Sequence, residues 1–128
     1  MYMETLGFTA KSIFVENNIK DGYWIVGIAD DPEDYRHYVI AQRAFEYTEQ
    51  DKALGMASHY LEVDGQENSA YGCVLGIKRT ESIVVFRIDN RKIKGLDEIV
   101  VNIVGVEIPD TFDTTLKMIF ENVKFELS

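Results

Sequence analysis

Two carboxylates and a phenol stand at alternate positions in the segment Tyr60-Leu61-Glu62-Val63-Asp64. Side chains on a β-strand alternate between faces, so Tyr60, Glu62 and Asp64 project together while Leu61 and Val63 face the other way. Carboxylates paired in this way can exchange protons with a substrate or hold a cation. The plainer account is a solvated strand face, on which acids alternate with core-facing apolar residues. A second acidic group, Asp30-Asp31-Pro32-Glu33-Asp34, puts four carboxylates into five residues. It lacks the spacing of a helix-flanked calcium loop and reads as a sharp, solvated turn.

Other chemistry is sparse. His37 and His59 are the only histidines and fall on different predicted strands, so a metal centre needs the fold to unite them with carboxylates. Cys73 is the only cysteine, which excludes an intrachain disulfide and a cysteine-based zinc site. It lies in an apolar strand with no nucleophile signature around it and reads as a buried, inert thiol. The glycines of Tyr71-Gly72-Cys73-Val74-Leu75-Gly76 do not have phosphate-loop spacing, and no Gly-Lys-Ser/Thr follows. No catalytic residue, metal ligand or cofactor is assigned.

The 128 residues predict a single domain over residues 1–128. The net charge of −9, from 22 acids and 13 bases, sets up a field that repels phosphate and attracts cations, so nucleic acid is not an expected partner. The charge is unevenly placed: residues 1–77 carry net −8, residues 78–94 net +4 and residues 95–128 net −5. No Pro/Ser/Gly-rich linker separates these blocks, and Pro32 and Pro109 are the only prolines. No apolar run approaches the ~18 residues of a membrane span, and Met1 leads into polar and charged residues rather than a secretory leader. A soluble, cytoplasmic protein without a membrane partner is the expectation.

These residues need strands to position them. Thr9–Glu16 and Tyr23–Ala29 have apolar residues on both parities, which predicts strands covered on both faces or central in a sheet. The Asn17-Asn18-Ile19-Lys20-Asp21-Gly22 link has the chemistry of an antiparallel hairpin turn. Tyr35–Ala41 is the third predicted strand. Tyr60–Asp64, Tyr71–Ile77 and Ile83–Asp89 are separated by short polar loops and predict an antiparallel meander, with Glu98–Val106 as the last strand. Thr48–Leu54 predicts a helical turn with a capping box between Thr48 and Asp51 and a stop at Gly55. Asn90–Gly95 predicts another, with Asn90 as its cap. One long helix is expected at the C-terminus: Asp110 stands at its cap, and Phe112, Leu116, Ile119, Phe120 and Val123 line one face. The fold class is therefore α+β: a largely antiparallel sheet of about six or seven strands with one C-terminal helix packed on it.

The segment from Ile40 onward carries a more particular signal. Ile40-Ala41-Gln42-Arg43, Glu49-Gln50-Asp51 with Leu54-Gly55-Met56, Tyr60-Leu61-Glu62, Asp64-Gly65-Gln66 and Ser69-Ala70-Tyr71-Gly72 follow one another in an order and spacing that resemble the immunity protein 10 family of bacterial polymorphic toxin systems. The resemblance extends upstream through Gly27-Ile28-Ala29-Asp30-Asp31-Pro32 and downstream through Gly95-Leu96-Asp97-Glu98-Ile99. It departs at Cys73, where a second glycine is expected, and at Ser58, near which an acid is expected.

The resemblance implies a small cytoplasmic antidote, without enzymatic activity, that binds the toxic domain of a cognate toxin. An acidic surface suits capture of a basic enzyme such as a nuclease. The candidate contacts are Asp30, Asp31, Glu33 and Asp34, then Glu49, Gln50 and Asp51, then Glu62, Asp64, Gln66 and Glu67. The competing class is an enzyme or small-ligand protein with a pocket around Tyr60, Glu62, Asp64 and His59. An exposed sheet edge could also pair two copies, and the oligomeric state stays open.

Overall fold

The computed structural model describes residues 4–128. Its strands are β1 (Glu4–Thr9), β2 (Ser12–Asn18), β3 (Tyr23–Ala29), β4 (Tyr38–Ala44), β5 (Tyr60–Val63), β6 (Ser69–Tyr71), β7 (Val74–Arg79), β8 (Ile83–Ile88), β9 (Leu96–Asn102) and β10 (Lys124–Leu127). Helix α1 spans Glu49–Ala53 and α2 spans Phe112–Ile119. The class is α+β, but there are two five-stranded sheets rather than one sheet of six or seven strands. The first runs β1-β9-β8-β7-β10 and the second β2-β3-β4-β5-β6. Pairing is antiparallel except at the two edges of the first sheet, where β1 joins β9 and β10 joins β7 in parallel.

The extra strands arise where the chain changes sheets. At Ala10-Lys11 the backbone hands over: the Ala10 N–H donates to Asn102 of β9, and the Lys11 N–H to Ala29 of β3. The inward residues shift parity there, from Leu6 and Phe8 to Ile13 and Val15, and all four pack on the core. In Thr9–Glu16, apolar residues on both parities thus mark a chain that switches layers, whereas β3, with the same pattern, lies inside the second sheet. The expected meander is divided in the same way. Tyr71 ends the second sheet and Val74 begins the first, with the break at Gly72, whose φ of +65° disfavours any side chain. The third strand starts at Tyr38 rather than Tyr35, because the Asp31 carboxylate accepts the N–H groups of Glu33 and Asp34 and holds them in a turn. The last predicted strand stops at Asn102, whose side chain accepts from the Val104 N–H.

The core lies between the sheets. Val26, Ile28, Val39, Ala41 and Leu61 of the second sheet meet Val84, Phe86, Ile99 and Val101 of the first, each no more than 1% exposed. Helix α2 packs chiefly on β3 and buries Phe112, Leu116 and Ile119 there, as its apolar stripe requires. It is shorter than expected and does not end the chain. Thr111, not Asp110, stands at its N-cap, Val123 lies beyond its last turn, and β10 follows. Helix α1 has the expected capping box, with Thr48 Oγ1 accepting from the Asp51 N–H and Asp51 accepting from the Thr48 N–H. Residues 90–95 form hydrogen-bonded turns rather than a helix; Asp89 accepts from the Arg91 N–H, while the Asn90 amide donates to Asp97 instead of capping. No helix among the described residues is long and apolar enough to cross a membrane.

Candidate partner-binding face

Register fixes which side chains of the second sheet share a face. Val15, Val26, Ala41, Leu61 and Ala70 form one row across all five strands and point into the core. The rows on either side point outward: Phe14, Gly27, Ile40, Glu62 and Ser69 in one, Glu16, Ile25, Gln42, Tyr60 and Tyr71 in the other. Tyr38 and Tyr23 belong to the flanking outer rows. Phe14 lies across the bare backbone of Gly27 and is 51% exposed. Among the described residues this face stays partly open: its side chains are mostly half-buried, and Tyr47, Asp51 and Met56 border the row of Gln42, Tyr60 and Tyr71.

Glu62 sits in the middle of the outer face. One carboxylate oxygen accepts from the Tyr38 hydroxyl at 2.6 Å, and the other accepts from the Tyr60 hydroxyl at 2.8 Å. Burial, reinforced by that carboxylate, pushes the Tyr38 phenol well above its ordinary pKa, so it remains a donor at neutral pH. Burial also raises Tyr60, with the Glu62 carboxylate adding to the rise. Tyr60 and Tyr71 pack as a tilted pair with centroids 5.3 Å apart, and Tyr35 meets Tyr38 edge-on at 5.2 Å. A shallow cleft of about 270 Å³ opens beside Glu62, bounded by Phe14, Ile40, Tyr38, Tyr35 and Asp31.

Asp64 is adjacent but occupied differently. It lies just beyond β5 with φ of +59°, where Oδ2 meets His37 Nδ1 at 2.8 Å and Oδ1 accepts from the Tyr38 N–H at 2.8 Å. Glu62 and Asp64 therefore do not converge on a common point. Asp30 and Asp31 shape the loop that leads to His37. The Asp30 carboxylate is partly desolvated, but N–H donors from Arg36 and His37 more than offset this and lower its pKa; donors from Asp34 and Glu33 lower that of Asp31. Glu33, Asp34, Gln66 and Glu67 are exposed.

The sequence-derived contact set divides in two. Asp30, Asp31, Glu33, Asp34, Glu62, Asp64, Gln66 and Glu67 share the end of the second sheet where β4 begins and β5 ends. Glu49, Gln50 and Asp51 lie on α1, which follows the far end of the seven-residue β4, about 20 Å along the strand. There Glu49 pairs with Lys52 and Asp51 serves the cap. Sequence reasoning missed Phe14, Ile25, Tyr38 and Ile40. Their signal was the second apolar parity of β2 and β3, which predicts strands covered on both faces or central in a sheet; β3 does lie inside the sheet, with one face outward.

The remaining candidates are structural. His59 is 6% exposed, its Nε2 accepts from the Val74 N–H at 3.0 Å, and its ring rests on Phe120 with centroids 4.8 Å apart. Burial, with Lys92 and Arg43 nearby, depresses its pKa to about 4, so the ring is neutral at pH 7. His37 is tied to Asp64 instead, and no cluster of three or more potential metal ligands occurs among the described residues. Cys73 is fully buried and its thiol is pushed up to about 11, which removes the thiolate needed of a nucleophile. At the two departures from the family pattern, Cys73 fills core space, and Ser58 stands where a Cβ on Gly72 would come within 3.2 Å of its Oγ.

Comparison with known proteins agrees with the motif. No curated protein and no solved structure matches the chain. A family model described as immunity protein 10 matches residues 9–112, from the sheet-switching segment through the start of α2, and the chain belongs to that family.

Proposed function

We propose that this chain is a single-domain, cytoplasmic immunity protein that binds and neutralises the toxic domain of a cognate polymorphic toxin. The domain it meets is basic, as a nuclease is. Family membership supports the immunity role. The observation that supports a basic partner is the acidic end of the second sheet. Segments 30–37 and 64–68, which meet through Asp64, His37 and Tyr38, contain six carboxylates and one arginine. Such a concentration of one sign steers an oppositely charged partner and raises its encounter rate. The chain acts by occupying the toxin rather than by chemistry of its own. Catalytic use of Tyr60, Glu62 and Asp64 has weaker support, since separate partners hold the two carboxylates and His59 faces the core.

Coexpression with the toxic domain encoded beside it tests this reading. Cells making both should grow and the two chains should copurify, whereas growth arrest without copurification would count against it.

A further inference from the structure

The fold leaves two outer sheet faces, and they differ in kind. That of the first sheet carries Lys78, Arg87 and Lys124 among Glu98 and Glu126, with Ile83, Val85 and Val100 between them, a surface of mixed charge. The outer rows of the second sheet contain no lysine or arginine and hold five aromatic rings. Tyrosine enrichment with lysine depletion is the composition of interface centres.

Glu62 gives this face a chemical preference. It is half-buried and accepts two phenol hydroxyls, yet pairs with no cationic group among the described residues. A carboxylate offers about four lone-pair positions, so two remain for a further donor. Phe14 and Ile40, which border the adjoining cleft, suit the apolar stem of a long side chain, and the rings of Tyr38 and Tyr35 suit its cationic head. On the immunity reading above, we infer that Glu62, framed by Phe14, Ile40 and Tyr38, receives a lysine or arginine side chain of the toxin domain. This is the anchor of the complex, and the acidic loops beside it form its rim. A charged anchor seated among aromatic groups and shielded from water is the arrangement that concentrates binding energy.

The test uses the toxic domain encoded beside this chain, in catalytically inactivated form, with affinity measured by titration calorimetry and folding by thermal melting. Glu62→Gln keeps shape and removes charge, and should weaken binding tenfold or more while the chain still unfolds cooperatively, at a slightly lower temperature. Phe14→Ala, at a half-exposed ring, should do the same and carries the test if Glu62→Gln fails to fold. Arg87→Gln, on the opposite face, should change affinity less than about twofold. Wild-type affinity in Glu62→Gln and Phe14→Ala would overturn the anchor while leaving the immunity reading standing. A wild-type chain that does not bind at all would overturn both.

Discussion

The Tyr38 hydroxyl donates to the Glu62 carboxylate at 2.6 Å across the β4–β5 pair, one row apart on the outer face of the second sheet. A bond this short to a charged acceptor fixes both side chains without any contact to the core. The placement of the Tyr38 and Glu62 side chains is therefore set from within that face. Tyr38→Phe removes the donor and should lower unfolding free energy by about 1 to 2 kcal/mol, read from denaturant midpoints. Unchanged midpoints would mean that water replaces the phenol at no cost.

Helix α2 has no other way to remove its apolar stripe from water than the cleft between the sheets. Phe120, just beyond its last turn, touches both His59 and Phe86, with centroids 4.8 and 6.1 Å away. Leu116→Ala or Phe120→Ala should each cost about 2 to 5 kcal/mol. Denaturation of both variants at the wild-type midpoint would contradict the helix's place in the core.

His59 predicts a specific pH dependence. Its pKa falls from an ordinary 6.5 when unfolded to about 4 when folded, so the unfolded state binds the proton first as pH drops. Above pH 6.5 the residue leaves stability flat. Between 6.5 and about 4 stability declines, by on the order of 3 kcal/mol in total. Asp89, held down to about 2 chiefly by its hydrogen bonds with Arg91, titrates below that window. Melting temperatures from pH 8 to 4 check this, and a flat profile would place His59 in a wetter site.

Gly72 separates structural from recognitional roles among the motif residues. Its φ of +65° and the 3.2 Å approach to Ser58 Oγ leave no comfortable place for a Cβ. Gly72→Ala should destabilise the chain by about 1 to 3 kcal/mol. It should still bind the toxin domain with wild-type affinity at temperatures where it is folded. Weakened binding by a fully folded variant would assign Gly72 to the interface instead.

Local chemistry was legible in the sequence, and layer assignment was not. The capping box at Thr48 and Asp51, the β2–β3 hairpin and the apolar face of α2 depend on neighbours within a few residues, and the structure has each of them. The hand-overs at Ala10-Lys11 and Gly72-Cys73 depend on partners such as Asn102 and His59, far away in sequence. Periodicity alone reads these segments as continuous strands. The same limit applied to the outer face. Glu62 and Asp64 were visible as a pair, but Tyr38 and Phe14 join them only through sheet register, and α1 is carried away by the length of β4.

The most direct measurement is the association rate of the purified chain with the toxic domain, by stopped flow at low and high salt. The comparison is wild type against a Glu33→Lys, Asp34→Lys, Glu67→Lys triple variant. These three side chains are exposed, and they avoid the loop-forming bonds of Asp30 and Asp31. Folding should change little, by about 0.5 kcal/mol or less per site. The wild-type rate should fall steeply with salt, while the variant should associate about tenfold or more slower at low salt and lose most of that dependence. Equal rates for the two proteins at both salt concentrations would contradict capture of a basic toxin by this acidic end.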